Sequence, residues 1–121
     1  DAISELCSKY HTIGYHLFEL NKDQSEFTAN CRNFAPLVDI DEESATGSAC
    51  GALASYLAKH QIFTSNDNTN IDTRKYHFSQ GKSMNATSSI TCTIEKDKAD
   101  IITEIKVGGF AQLIKTIALS I

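Results

Sequence analysis

The chain has 121 residues, of which 41% are hydrophobic and 21% charged, a composition typical of one folded domain with a single core. Its formal net charge is −4, and its basic residues form no cluster larger than the pair 74–75, which argues against a nucleic-acid or membrane-surface partner. The apolar run after Gly47 is far shorter than the ~20 residues that a membrane-spanning helix needs.

The first part of the chain predicts one short helix and two strands, over residues 2–10, 15–20 and 27–34. The polar turn 21–24 separates the two strands. One face of the second strand carries four residues that we expect to point together: Phe27, Ala29, Cys31 and Asn33. Pro36 ends that strand, because proline has no N–H to donate. An acidic loop follows, with Asp39, Asp41, Glu42 and Glu43.

A helix over about residues 47–60 is apolar almost all the way round, and its first strongly polar side chains are Lys59 and His60. A helix without a polar face is buried on every side. We therefore expect a sheet to wrap around this helix. The small residues at 49–52 and 54 would let neighbouring backbone approach closely.

After the central helix, the sequence predicts a polar loop over residues 64–70, which we expect to be mobile. Four further strands are predicted over residues 74–80, 88–95, 101–107 and 110–119. The strand at 88–95 alternates most clearly, with Ile90, Cys92 and Ile94 on one face. A hairpin-type turn at 96–100 follows it. The predicted fold class is α+β: one domain over residues 1–121, with a curved mixed or antiparallel sheet of about six strands around a central buried helix.

The four cysteines form no CxxC pair, and no histidine completes a zinc spacing, so we expect no metal site. Three of them lie in apolar or strand-like sequence, where a free cysteine behaves as a small hydrophobic residue. This usage favours reduced thiols and a cytoplasmic protein.

The start of the central helix predicts a binding site for a carboxylate or a phosphate. The first N–H groups of a helix have no acceptor within the helix, and the helix dipole favours an anion there. Gly47 lets a ligand approach the backbone, and Ser48 adds a hydroxyl donor. The binding candidates are Thr46, Gly47, Ser48 and Ala49. A simple helix cap is the alternative, and the neighbouring carboxylates oppose an anion.

Three motifs follow one another along the chain. They cover residues 32–36 (Arg-Asn-Phe-Ala-Pro) with 42–53 (Glu-Glu-Ser-Ala-Thr-Gly-Ser-Ala-Cys-Gly-Ala-Leu), then 78–84 (Phe-Ser-Gln-Gly-Lys-Ser-Met), then 107–111 (Val-Gly-Gly-Phe-Ala). Together they resemble the R-x-F-A-P … E-D-P-x-T-G-S-A-x-G-A-L, Q-G-x-x-M-G-R-P-S and V-G-G-x-A segments of phenazine-biosynthesis-like (PhzF-type) proteins. That family is part of the diaminopimelate-epimerase-like superfamily.

This resemblance implies two similar lobes, each a curved sheet on a central helix, with the active site between them. The chain resembles the C-terminal lobe, and the N-terminal lobe with the family's catalytic glutamate has no counterpart in it. Family members catalyse cofactor-free proton transfer beside a carboxylate. We therefore expect half of an isomerase-like enzyme for a small carboxylate substrate, docking on the missing lobe or on a second copy. The alternative is a non-catalytic module that keeps only the fold.

The resemblance also suggests two catalytic candidates, Glu43 and Cys50. Glu43 takes the place of the family's aspartate, and Cys50 takes a position often held by histidine. In the related epimerases a cysteine at a comparable helix start is an acid/base thiol, and a helix N-terminus lowers a thiol pKa. The alternatives are a loop carboxylate and a small core residue. The family's arginine is missing from the segment 84–88.

Overall fold

The computed structural model describes residues 1–22, 26–62 and 72–121, in which two α-helices, two short 3₁₀ helices and a six-stranded sheet form the regular structure. The α-helices are α1 (Ala2–Tyr10) and α2 (Gly47–Lys59), and the 3₁₀ helices are Pro36–Val38 and Lys82–Met84. The strands are β1 (Tyr15–Leu20), β2 (Ala29–Ala35), β3 (Ile40–Glu43), β4 (Asp72–Gln80), β5 (Ser88–Lys96) and β6 (Ile102–Gly108). The predicted α+β class is confirmed. The predicted loop 64–70 and part of the turn 21–24 lie outside the described residues.

The sheet is mixed, with the strand order β1-β2-β4-β5-β6 and β3 paired to the side of β2. Neighbouring strands are antiparallel except β2 and β4, which run parallel with Ala29 opposite Phe78. Alternate residues of β2 and β5 are buried, as the sequence predicts for one core face and one outer face. The buried positions are Ala29, Cys31, Asn33 and Ala35 on β2 and Ile90, Cys92, Ile94 and Lys96 on β5.

The core lies between this sheet face and α2. Leu53 and Leu57 of the helix pack with Tyr76, Phe78 and Ile94 of the sheet, all at most 5% exposed. Full burial of one leucine side chain contributes about 1.5–3 kcal/mol. Among the described residues neither helix, of 9 and 13 residues, has the length and apolar character needed to cross a membrane.

The prediction that α2 is buried on every side is wrong. Ser48, Ala52 and Tyr56 are exposed, and Tyr56 retains 50% of its accessible surface. These residues are four apart and therefore share one face of the helix. The sheet covers the opposite face only. Alanine and glycine misled the prediction, because a small apolar residue costs little at an exposed helical position.

Two strand predictions also need correction. The acidic segment forms β3, in which Ile40 lies opposite Ala35 of β2 and Glu43 opposite Asn33. Residues 110–119 are not a strand: the segment 109–121 has no regular structure and is exposed, with Phe110 at 93%. Pairing decides both cases, because backbone hydrogen bonds to a neighbour make a strand whatever its composition. In the described part of the chain, no strand pairs with 110–119.

Both ends of α2 are held by β4 and its neighbours. At the C-terminal end, the Ala58 carbonyl accepts hydrogen bonds from Arg74 (3.1 Å) and from the buried Lys96 (2.8 Å). Cations are favourable at this end of a helix dipole. At the other end, Gly81 follows β4 with φ +85°, and a Cβ there would lie 2.4 Å from the Ala86 carbonyl and 2.9 Å from Ser44 Cβ.

We expect Gly81→Ala to lower the free energy of unfolding by roughly 1–3 kcal/mol, because the left-handed φ and the close contacts both oppose a side chain. Urea denaturation followed by circular dichroism measures the change. The control is Gly108→Ala, because an added Cβ there meets nothing within 4 Å. Its effect should stay within about 0.5 kcal/mol. Equal losses in the two variants would contradict this account of the turn.

Candidate functional site

The candidate site is the turn 43–46 together with the first residues of α2, and the side chain of Gln80 holds it in place. Gln80 is fully buried, and its Oε1 accepts a hydrogen bond from the Thr46 N–H at 3.2 Å. Its Nε2 donates to the Glu43 carbonyl at 2.7 Å and to Thr46 Oγ1 at 2.9 Å. One amide from β4 therefore fixes the backbone just before the helix begins.

Thr46 does not cap α2 with its side chain. Its hydroxyl donates instead to the Glu43 carboxylate, which is half-buried at the same turn. Thr46 is thus the N-cap residue by position and extended backbone, without a capping hydrogen bond from its side chain. Gly47 and Ser48 are exposed, and a Cβ on Gly47 would only make an ordinary 3.4 Å contact with Val107. Packing therefore does not demand a glycine at 47, and the first two residues of the helix are accessible to solvent.

The charge of Glu42 is compensated by Arg32. Arg32 Nε and Nη2 donate to the two Glu42 carboxylate oxygens at 2.8 and 3.0 Å, and Ser83 Oγ donates at 2.7 Å. These hydrogen bonds, from Arg32 first and Ser83 second, lower the Glu42 pKa to about 2. Asp39 and Asp41 are exposed to solvent. Glu43 is therefore the carboxylate that remains at the turn itself.

Cys50, in the first turn of α2, is completely buried. Its thiol donates to Gln80 Oε1 at 3.8 Å, and its Sγ lies 3.9 Å from His16 Nε2. The hydrogen bond to Cys31 and then burial raise the Cys50 pKa. The predicted lowering is therefore wrong, because these two effects outweigh the opposing hydrogen bond to His16.

His16 is the residue that the sequence prediction missed. It lies on β1 opposite Asn33 of β2, and its Nδ1 is 3.1 Å from Asn33 Oδ1. Because a carbonyl oxygen only accepts, this contact assigns the ring proton to Nδ1 and leaves Nε2 as an acceptor toward Cys50. His16 also lines an apolar groove of about 330 Å³ beside α2, with Phe18, Ala49, Ala52, Leu53 and Tyr56. The sequence placed His16 in a predicted strand. Only the pairing of β1 with β2 shows that His16 contacts Asn33 and Cys50.

The structure thus brings Glu43 and Thr46 together with 47–49 and places Cys50 in the core behind them. Within the described residues, no group of three or more His, Cys, Asp or Glu side chains is placed to hold a metal ion.

We expect the Glu42 carboxyl group to titrate near pH 2 and to move toward its ordinary pKa of 4.5 in Arg32→Gln. A carboxyl with a depressed folded pKa stabilises the fold above its unfolded value, so this contribution is complete above about pH 4.5 and is lost as the pH falls toward 2. Side-chain carbon shifts against pH measure the midpoint. The control is Lys9→Gln, which removes one positive charge from α1 and should leave the Glu42 midpoint unchanged. A wild-type midpoint near 4 would contradict the ion pair.

Comparison with known proteins agrees with the three sequence motifs. Residues 2–116 match the family described as phenazine biosynthesis-like protein. An uncharacterized isomerase of Clostridium acetobutylicum is 29% identical over 114 residues, which cover 94% of this chain and 36% of that protein. Antisense-enhancing sequence 1 of Schizosaccharomyces pombe is 38% identical over 61 residues, 50% of this chain and 19% of that protein.

The chain therefore spans about a third of the length of the Clostridium relative and less of the yeast one. The family match, by contrast, runs along almost all of its own length. The predicted family is confirmed, and the chain belongs to the phenazine biosynthesis-like protein family.

Proposed function

We propose that the chain is the C-terminal lobe of a cofactor-independent isomerase that moves a proton at a carbon beside a small carboxylate. Family membership and the isomerase name of the Clostridium relative support the reaction class. The observation that carries the proposal is the turn 43–46, which Gln80 fixes from inside while the first residues of α2 stay accessible. The free cysteines fit a reducing, cytoplasmic setting.

The proposed substrate carboxylate binds the backbone N–H groups of Gly47, Ser48 and Ala49. These groups carry the partial positive charge of the helix end, and the Ser48 hydroxyl adds a donor. The Arg32 partner of Glu42 supports this site, because it offsets one of the carboxylates that would otherwise repel an anion.

Glu43 is the proposed acid/base group of this lobe. Its carboxylate lies at the same turn as the anion site and accepts a hydrogen bond from the Thr46 hydroxyl, which fixes its orientation. A carboxylate in this position takes a proton from the carbon beside the bound carboxylate. The group that returns a proton on the opposite side belongs, in this proposal, to the second lobe. Cys50 is the weaker candidate, since its sulfur is buried and protonated.

A non-catalytic module is the second candidate function. The complete burial of Cys50 favours it, because a thiol in the core does not reach a substrate in the cleft. The missing arginine at 84–88 points the same way.

Anion binding is tested by an amide-shift titration with acetate or sulfate, in which we expect shifts centred on residues 46–50. Gly47→Pro removes one N–H donor at a helix position that tolerates proline, whereas Gly47→Ala keeps that donor. We expect about tenfold weaker binding in the proline variant only, the value of one charge-assisted hydrogen bond. Shifts centred elsewhere, or equal affinity of the two variants, would leave the turn without a binding role.

Catalysis is tested by solvent deuterium exchange into small carboxylates such as amino acids. We expect no exchange by this chain alone, because proton transfer across a carbon needs acid/base groups on both faces. In a two-lobed protein that contains this lobe, Glu43→Gln should lower kcat by roughly 10²–10⁴-fold, and Glu42→Gln, the neighbouring control, far less. Exchange by the isolated chain that is lost in Glu43→Gln would refute the need for a second lobe. Unchanged kcat in the two-lobed variant would favour the non-catalytic module.

A further inference from the structure

The outer face of the sheet carries a histidine and a serine in hydrogen-bond contact. His77 lies on β4 and Ser89 on β5, and both residues are half-buried. Their strand neighbours Phe78 and Ile90 belong to the core, so the two side chains point away from α2. His77 Nε2 lies 2.5 Å from Ser89 Oγ. A nucleophilic hydroxyl and a base therefore meet on the face of the sheet opposite the candidate site.

The proton of the neutral His77 ring lies on the nitrogen that faces away from Ser89. His77 Nδ1 is 3.2 Å from the backbone carbonyl oxygen of Glu26. Because a carbonyl oxygen only accepts, this contact assigns the ring proton to Nδ1. Nε2 is then the acceptor, and the Ser89 hydroxyl donates to it. This is the direction in which an imidazole takes the proton of an attacking hydroxyl.

The segment before β2 holds the His77 ring in this orientation. Phe27 packs against the ring, with the two ring centroids 4.8 Å apart. The Thr28 N–H donates to the His77 carbonyl at 2.7 Å, and Thr28 Oγ1 accepts from the His77 N–H at 3.0 Å. The pair therefore has the three parts of an activated nucleophile: a hydroxyl, a base and a group that orients the base.

A groove of about 330 Å³ lies on the same face of the sheet. Its lining includes Thr91, which is directly opposite His77 and two residues after Ser89. Gly109 also lines the groove, and a Cβ on it would lie 3.2 Å from the Ser89 carbonyl oxygen. The groove therefore offers room for a small acyl group beside the pair.

We propose that Ser89 and His77 form a second reactive site, at which Ser89 attacks small acyl esters and thioesters with a phenolate-like or thiolate leaving group. The leaving group follows from the lysines Lys75 and Lys106 that line the groove, because positive charge favours a group on which negative charge develops. Glu104, 2.7 Å from Lys106, offsets part of this charge. The proposal does not depend on the isomerase function, since the candidate site uses other residues.

The reaction takes two steps. Ser89 Oγ bonds to the acyl carbon and its proton passes to His77 Nε2; the bond from that carbon to the leaving group then breaks, and the leaving group takes the proton from His77. Water next attacks the acyl group on Ser89 and gives its proton to His77. The bond between the acyl carbon and Ser89 Oγ breaks, and the proton returns from His77 to Ser89. One ester and one water become one acid and one alcohol or thiol.

Diisopropyl fluorophosphate tests the pair, because it traps an activated serine: the serine oxygen bonds to phosphorus, the P–F bond breaks and fluoride leaves. We expect a single label on Ser89, which mass spectrometry locates within the tryptic peptide 83–96. The unlabelled chain should hydrolyse p-nitrophenyl acetate faster than buffer does, and the labelled chain should lose this activity. Labelling of another residue, no labelling, or hydrolysis no faster than in buffer would each overturn the proposal.

Variants separate the roles of the two residues. His77→Gln should slow the labelling of Ser89 by roughly 10²–10⁴-fold, the usual effect of a general base. The control His60→Gln removes a different imidazole and should leave the rate unchanged. Ser89→Ala should abolish the label, and Ser88→Ala, whose side chain lies on the other face of β5, should keep it. Equal rates in the wild type and His77→Gln would refute the pair, and the wild-type peptide map decides the labelled residue even if a variant fails to fold.

Discussion

The buried amide of Gln80 is the contact on which the candidate site depends. It donates to the Glu43 carbonyl and to Thr46 Oγ1, and it accepts from the Thr46 N–H, so it satisfies backbone groups on both sides of the turn. Leaving such groups unpaired in the core costs about 1–3 kcal/mol for each. An apolar side chain of similar size would keep the packing and lose the turn. The amide therefore couples the end of β4 to the direction in which α2 begins.

This coupling works because α2 is held at both ends by strands that neighbour one another. Gly81 directly follows Gln80 and lets the chain pass close to Ser44, while Arg74 and Lys96 bind the Ala58 carbonyl at the far end of the helix. The sheet thus places positive side chains where the helix dipole is negative. The other end keeps the positive potential that the proposed anion site would use.

The features that depend on residues close together in the sequence could be predicted from it. The alternation of 88–95 predicted the buried face of β5. The predicted strand 74–80 ends at Gln80, directly before Gly81 with its φ of +85°. What the sequence lacked was pairing information. Three features depend on which segments become neighbours: the strand β3, the contact of His16 with Asn33, and the contact of His16 with Cys50. The error on α2 has a different origin, because alanine fits both a core and a surface.

The protonation of Cys50 bears on how the helix start is used. A helix N-terminus has a limited positive potential, and a thiolate at Cys50 would neutralise part of it from within the protein. Cys31 and burial instead keep Cys50 protonated, and Arg32 compensates Glu42. In the proposed function, the Glu43 carboxylate, oriented by Thr46, is the charge that a bound anion would meet at the turn. The proposed anion site at residues 47–49 therefore lies beside the one carboxylate that is proposed to exchange a proton with the substrate, so the two proposed roles meet at a single turn.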